Sequence, residues 1–447
     1  GMVTSVNRAL DQPYLEDFMV RNAFTAGIDF TQYFKNRLYY IDVKGMLSSL
    51  HGSAGAITAL QNSVAHYYQR ASSADYLGVD PTRRSLTGTG GYVKVGRKGN
   101  AKWNFSETFT WSSPGFDLND MGYMKETDYL MNETEIMYRQ TDIWKIFRYN
   151  AFTLSQKNMW NYGGTPFSNN ASLRWQSMTM NRYEWDVKET FAWNWLDSRL
   201  LRGGPDVRFG SYFLTSAKFN TDKAKRMMFM LKYEGDHNFE GNRFNTISPS
   251  LTFRLGNHVY LSGQLDYAWN TDEMQYVATT SPLSSSSLTP YYYVMGHMDQ
   301  KTYGLTLKLQ VNVTPDISIQ FYGAPFTSIA KYDDFKLAAD TKSHTFENRF
   351  QRIDPDQLTY ADGVYTIGEG AGQMPFRNPD FRFNEFRSNL VARWEYLPGS
   401  TLYFVWEHRM SNRDNWYSSG WGSNLDRMWG LPATNTFMIK MNYWFNL

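Results

Sequence analysis

The stretch VYLSGQLDYAW, from Val259 to Trp269, decides the fold. Its odd positions are Val259, Leu261, Gly263, Leu265, Tyr267 and Trp269, and its even positions are Tyr260, Ser262, Gln264, Asp266 and Ala268. Successive side chains of a β-strand point to opposite faces, so this segment has one apolar face and one polar face. YGLTLKLQVNV, from Tyr303 to Val313, repeats the pattern, with Leu305, Leu307 and Leu309 on one side and Thr306, Lys308 and Gln310 on the other. At the C-terminus Phe437, Ile439, Met441, Tyr443 and Phe445 share one face, and Lys440 and Asn442 share the other. Each run is about ten residues or more. Soluble strands are usually about five or six residues long, whereas a tilted membrane-crossing strand needs roughly nine to eleven.

Composition points the same way. Aromatic residues make up 17% of the 447 positions, yet the mean hydropathy is −0.54. No run approaches the ~18 apolar residues of a membrane helix. A barrel escapes that requirement because only alternate residues of its strands meet lipid. The net charge of +2 provides no electrostatic case for nucleic acid. The absence of cysteine removes disulfides, thiol nucleophiles and thiolate metal sites. No signal peptide is seen, and Gly1 to Val6 reads like the inside of a strand, so the first strand is expected to be truncated.

Short polar turns are expected near residues 35–36, 98–100, 140–142, 181, 221–225, 256–257, 314–316 and 398–400. They alternate with longer connections, of which 51–88, 271–298, 330–383 and 411–433 are the longest. Eight turns and nine long connections imply about 18 strands, within a range of 16–18. The reading is all-β: one domain over residues 1–447, a transmembrane antiparallel outer-membrane β-barrel. Its long loops are expected to be extracellular and its C-terminus periplasmic. Residues 54–69 lack proline and strand alternation and read as a helix within the first long loop. Residues 283–288 (LSSSSL) read as low-complexity loop. Loops 51–88 and 330–383 are expected to fill part of the lumen, with Arg70, Arg83 and Arg84 meeting Glu395 and Glu407.

Chemistry is harder to find. His408, Ser411 and Asn412 invite comparison with outer-membrane phospholipases, which place a His and a Ser two apart on one strand face, but here the spacing is three, and residues three apart on a strand point to opposite faces. The bland reading, an interfacial histidine, is favoured. The carboxylates at 354–356 and 362–369 lack regular calcium-loop spacing, and the seven histidines show no zinc motif. No catalytic, cofactor or metal site is assigned. The lumen face is expected to carry Arg387, Arg393, Glu395, Glu407 and Arg409, with Lys308 and Gln310 on a neighbouring wall. Parity places Arg393 diagonal to Glu407. One polar exception, Glu107, lies on the otherwise apolar face of Trp103, Phe105, Phe109 and Trp111.

The segment FRSNLVARWEYLPGSTLYFVW (386–406) resembles the signature of an uncharacterised Bacteroidetes outer-membrane barrel family. SIQFYGAPF (318–326), YYQR (67–70) and DPTRRSLTGTGG (80–91) are similar to that family as well. In it a family-9-type carbohydrate-binding module usually precedes the barrel. The resemblance spans essentially the whole chain and implies transport or surface binding of a polymer or glycan-type solute; it supplies no catalytic residues. The alternatives are an accessory subunit of a larger outer-membrane complex and, weakest, a hydrolase. Expected partners are outer-membrane lipid and lipopolysaccharide, other outer-membrane proteins and the solute.

Overall fold

A computed structural model describes all residues except 71–74, 100, 121, 194, 257, 284–290, 415–420, 446 and 447. The expected loop over 283–288 therefore falls almost wholly outside the described residues. Among the described residues eighteen strands follow one another through a single antiparallel sheet. They are β1 (Met2–Asn7), β2 (Asn22–Phe34), β3 (Tyr39–His51), β4 (Ser85–Arg97), β5 (Trp103–Ser112), β6 (Tyr129–Gln140), β7 (Phe147–Trp160), β8 (Pro166–Thr179) and β9 (Glu184–Trp193). The second half comprises β10 (Tyr212–Asn220), β11 (Met227–Asn238), β12 (Arg243–Leu255), β13 (Val259–Thr280), β14 (Tyr292–Asn312), β15 (Ile317–Ala338), β16 (Phe381–Leu397), β17 (Ser400–Asp414) and β18 (Ala433–Asn442). Phe350–Arg352 adds a short nineteenth strand against the end of β15. Among the described residues no pairing joins β18 to β1, so the sheet is not closed.

The alternation sets the two faces. Val259, Leu261 and Leu265 of β13 oppose Val311, Leu309 and Leu305 of β14, and Ser262 opposes Lys308. Carried through the registers, one face presents Phe30, Val93, Phe109, Leu251, Leu307, Phe404 and Phe437, all exposed. The other face is polar and carries the loops; we call it the inner face. Nine connections, the long loops among them, leave one end of the sheet, and the other eight lie at the opposite end. Loops from well-separated strands touch. Arg199, between β9 and β10, donates to the carbonyls of Val64 and Lys125 in the β3–β4 and β5–β6 loops. From the same β9–β10 loop, Leu201 and Val207 pack with Met295 of β14 and with Phe350. At roughly 4.8 Å per strand, such contacts require the sheet to curl as a barrel wall does.

The loops are shorter than the sequence suggests. Residues 271–298 are mostly strand, because β13 and β14 run 22 and 21 residues. Bulges between Asp272 and Gln275 and between Tyr276 and Ala278 shift the parity there. A broken alternation thus reads as loop although the ladder continues. Likewise β15 continues to Ala338, β4 begins at Ser85 and β17 continues to Asp414. The C-terminal strand is shorter than expected. It ends at Asn442, where Thr401 is its last partner on β17, so Tyr443 and Phe445 lie beyond the ladder, exposed.

Candidate transport wall and loop plug

The helix α1 (Ala54–Gln61) lies in the first long loop and is half the expected length. Ser53 caps it, its hydroxyl accepting from the Ala56 amide at 3.0 Å, a contact worth about 1 kcal/mol. Its buried Ile57 packs with Ala23, Leu50 and Leu86, which stand opposite one another on β2, β3 and β4 and face inward. Burying each such aliphatic side chain contributes roughly 1.5–3 kcal/mol. The next loop joins it on the inner face. Phe116 lies over Gly88 and Gly90 of β4: a Cβ at Gly88 would collide with the Phe116 backbone nitrogen, and one at Gly90 would lie 2.5 Å from its ring. The glycines of the GTGG stretch therefore admit a loop. Asp117 receives Nε2 of the buried His66 at 3.0 Å and bonds Ser48 of β3 through its amide.

Arg70 does not reach Glu395 or Glu407. It bonds Asp128 at 2.6 Å, deep in the plug, and Arg83 lies 3.9 Å from Asp80. The reason is axial position: Glu395 stands beside the short turn at the far end of the strands, holding the Gly399 amide. Tyr76 also donates to Asp128 at 2.6 Å, and burial together with that carboxylate drives its phenol well above the usual range. Burial pushes Tyr68 up to about 12. The cavity lined by His66, Arg70, Asp128 and Arg199 measures about 30 Å³. That is water-sized, so this part of the plug is packed. Loop 339–380 behaves differently. Its three-stranded sheet, Leu358–Ala361, Val364–Ile367 and Met374–Arg377, packs through Ile367 and Phe376 on the extended ends of β14 and β15.

Away from these loops the inner face presents exposed charged side chains. Arg387 opposes Arg409, and both bond Glu385, at 2.8 and 2.9 Å. The sequence reading did not single out Glu385, although its parity with Arg387 places it on the same face. Arg393 does not lie diagonal to Glu407. It opposes Tyr403 and bonds Glu395 at 2.6 Å, whereas Glu407 opposes Asn389. A two-residue turn with a bulge at Tyr396 stands where the odd-length turn was expected, moving the register by two residues. Lys308 and Gln310, both exposed, oppose Tyr322 and Gln320 on β15, and Tyr322 in turn opposes Asn389 on β16. Lys440 lies 6.0 Å from the Tyr403 ring. The other face carries Phe437, Ile439 and Met441 beside Trp406, Phe404 and Leu402. His408 lies on that apolar face with its Nδ1 2.9 Å from Asn435, while Ser411 opposes Glu385 on the inner face.

An antiparallel sheet with an apolar exterior, a polar interior and loops folded into one end defines the class: a β-barrel wall with a partly filled mouth. The chain belongs to the family described as "Domain of unknown function (DUF5916)", whose model matches residues 51–447. No curated protein matches it. Among solved structures it is similar to the siderophore receptor PirA from Acinetobacter baumannii, at 9% identity and a TM-score of 0.39 over 94% of this chain and 70% of that one. It is also similar to a mutant of the ferric enterobactin receptor PfeA from Pseudomonas aeruginosa, in complex with enterobactin, at 7% identity, a TM-score of 0.40 and the same coverage. The fold rests on the sheet itself, which these distant likenesses accompany.

Proposed function

We propose that this chain is an integral outer-membrane β-barrel that moves or binds a hydrophilic solute, with its long loops outside the cell and its turns and C-terminus in the periplasm. One observation carries the reading: the apolar face is exposed strand after strand, while the loops cover the polar one. Exposed apolar surface on that scale requires a non-aqueous surrounding. No helix among the described residues is long and apolar enough to cross a membrane, and that leaves crossing by strands untouched.

The inner wall supports a hydrophilic solute of the glycan or polymer type. Ser262, Gln264, Thr306, Gln310, Gln320 and Tyr322 supply donors and acceptors in neighbouring rows. The resemblance to barrels that follow a carbohydrate-binding module points to the same class. The accessory-subunit reading draws on Glu107, Gln156 and Glu189, polar residues on the otherwise apolar outer face. Nothing favours a hydrolase, since His408 and Ser411 stand on opposite faces. Planar-bilayer conductance tests the proposal. The intact chain should give small, fluctuating currents, and deleting loops 52–84 and 113–128 together should give large, steady ones. Large currents from the intact chain would favour a simple diffusion pore; none from either form would refute transport.

A further inference from the structure

At the loop end a cavity of about 140 Å³ lies between the inner wall and a hairpin of the β9–β10 loop, Trp195–Asp197 paired with Val207–Phe209. The packed cavity beside His66 measures only about 30 Å³. Trp195 and Phe209 oppose one another on the hairpin with their rings 5.4 Å apart, and Trp195 lies 5.0 Å from the ring of Tyr212 on β10. Phe244 of β12 completes the aromatic lining. It shares the inner face with Asp236 of β11 and Asn270 of β13, its register partners, and it is 40% exposed. The hairpin therefore leaves it uncovered, an apolar ring on a polar wall.

The polar groups around these rings are only partly used. Tyr212 is 6% exposed, yet its hydroxyl has no hydrogen-bond partner among the described residues. Buried polar groups are hydrogen-bonded as a rule, so an unused one on a cavity wall marks where a ligand supplies the partner. The Asp236 carboxylate, on the same wall, has no hydrogen-bond or ion-pair partner among the described residues either. Asp272 spends one oxygen on the Met274 amide at 2.9 Å. Asn242 spends its carbonyl on the Glu273 amide at 2.6 Å and keeps its N–H donors. Donors and acceptors are thus both on offer beside bare rings. An ammonium ligand would use only the acceptors, whereas a hydroxyl is donor and acceptor at once. A sugar ring carries hydroxyls around its rim and apolar C–H faces that lie flat on aromatic rings. We propose that this cavity binds one sugar ring of the solute, with Trp195 and Phe244 against its C–H face and Tyr212, Asp236 and Asn242 on its hydroxyls. An aromatic lining with a few placed polar groups is the usual make-up of a specific small-molecule site.

The proposal rests on the glycan-type solute read above, and its test is separate from conductance. Maltohexaose, xylohexaose and mannohexaose are titrated calorimetrically into the purified full chain in detergent, with choline as a cationic probe. At least one saccharide should bind, and choline should not. Phe244→Ala should weaken the saccharide at least tenfold, and Tyr212→Phe, which keeps the ring, at least threefold. Both variants should keep the heat-modifiable mobility and the conductance of the parent chain. Thr108→Ala, on the inner face of β5, should leave the affinity unchanged. A saccharide bound equally by all the variants would overturn this site and leave the solute reading standing. Choline bound in place of sugar, or no saccharide bound at all, would overturn the sugar assignment, while the barrel's transport role is judged by conductance alone.

Discussion

Arg349 grips Glu240 through both terminal nitrogens, at 2.7 and 2.9 Å, with its side chain almost wholly buried. Three carbonyls, those of Ser343, Arg208 and His344, accept from the same guanidinium. Glu240 also receives the Gly210 amide. One pair thus ties together three loops, those following β9, β11 and β15.

Removing one partner strands the other, and an uncompensated buried charge costs about 3–5 kcal/mol. Glu240→Ala is therefore expected to release loop 339–380 while the strands persist. Limited proteolysis should cut within 339–380 many times faster in the variant, with the heat-modifiable mobility unchanged. Equal cutting rates would mean that the pair does not anchor the loop.

Gly90→Leu should expel Phe116 from the inner face, since even a Cβ there meets its ring at 2.5 Å. The expected outcome is a rise of severalfold in bilayer conductance. Thr89→Leu, a neighbouring outward position, should have no such effect. Equal conductance in the two variants would place the Phe116 loop outside the ion path.

Burial raises the Asp197 carboxyl above its ordinary range. A carboxyl raised on folding favours the protonated form in the folded chain. Its contribution is present at low pH and fades as pH rises from about 3.9 through the folded value. Opening of loop 194–211, followed by hydrogen exchange, should therefore grow over that window. Asp197→Asn keeps an acceptor for the Arg199 and Leu200 amides and should flatten the dependence. A slope unchanged in the variant would assign the effect to another group.

Spin labels at Ile439 and Lys440 should report opposite surroundings, Ile439 relaxed by oxygen in lipid and Lys440 by a water-soluble nickel chelate. Matching responses would contradict the face assignment of β18. A thiol at Gln357, in the loop-end sheet region, should react with an impermeant reagent on intact cells, and one at Asp316, in a turn, should not. The reverse pattern would invert the topology.

Much of this was legible in the residues. Strict alternation in Val259–Trp269 and Tyr303–Val313 needs only the period of the strand to assign two faces, and connection lengths suffice to count eighteen strands. That reasoning fails where a bulge shifts the period, and so β13 beyond Thr271 read as loop. It fails again at Tyr443, where alternation continues but no neighbouring strand remains to bond. Local order in the chain determined which side chains share a face, because parity is a property of each strand alone. Only the tertiary structure decided which loops touch, and that Arg70 meets Asp128 instead of Glu395. Those contacts join residues distant in sequence, and their geometry depends on how the whole sheet curls.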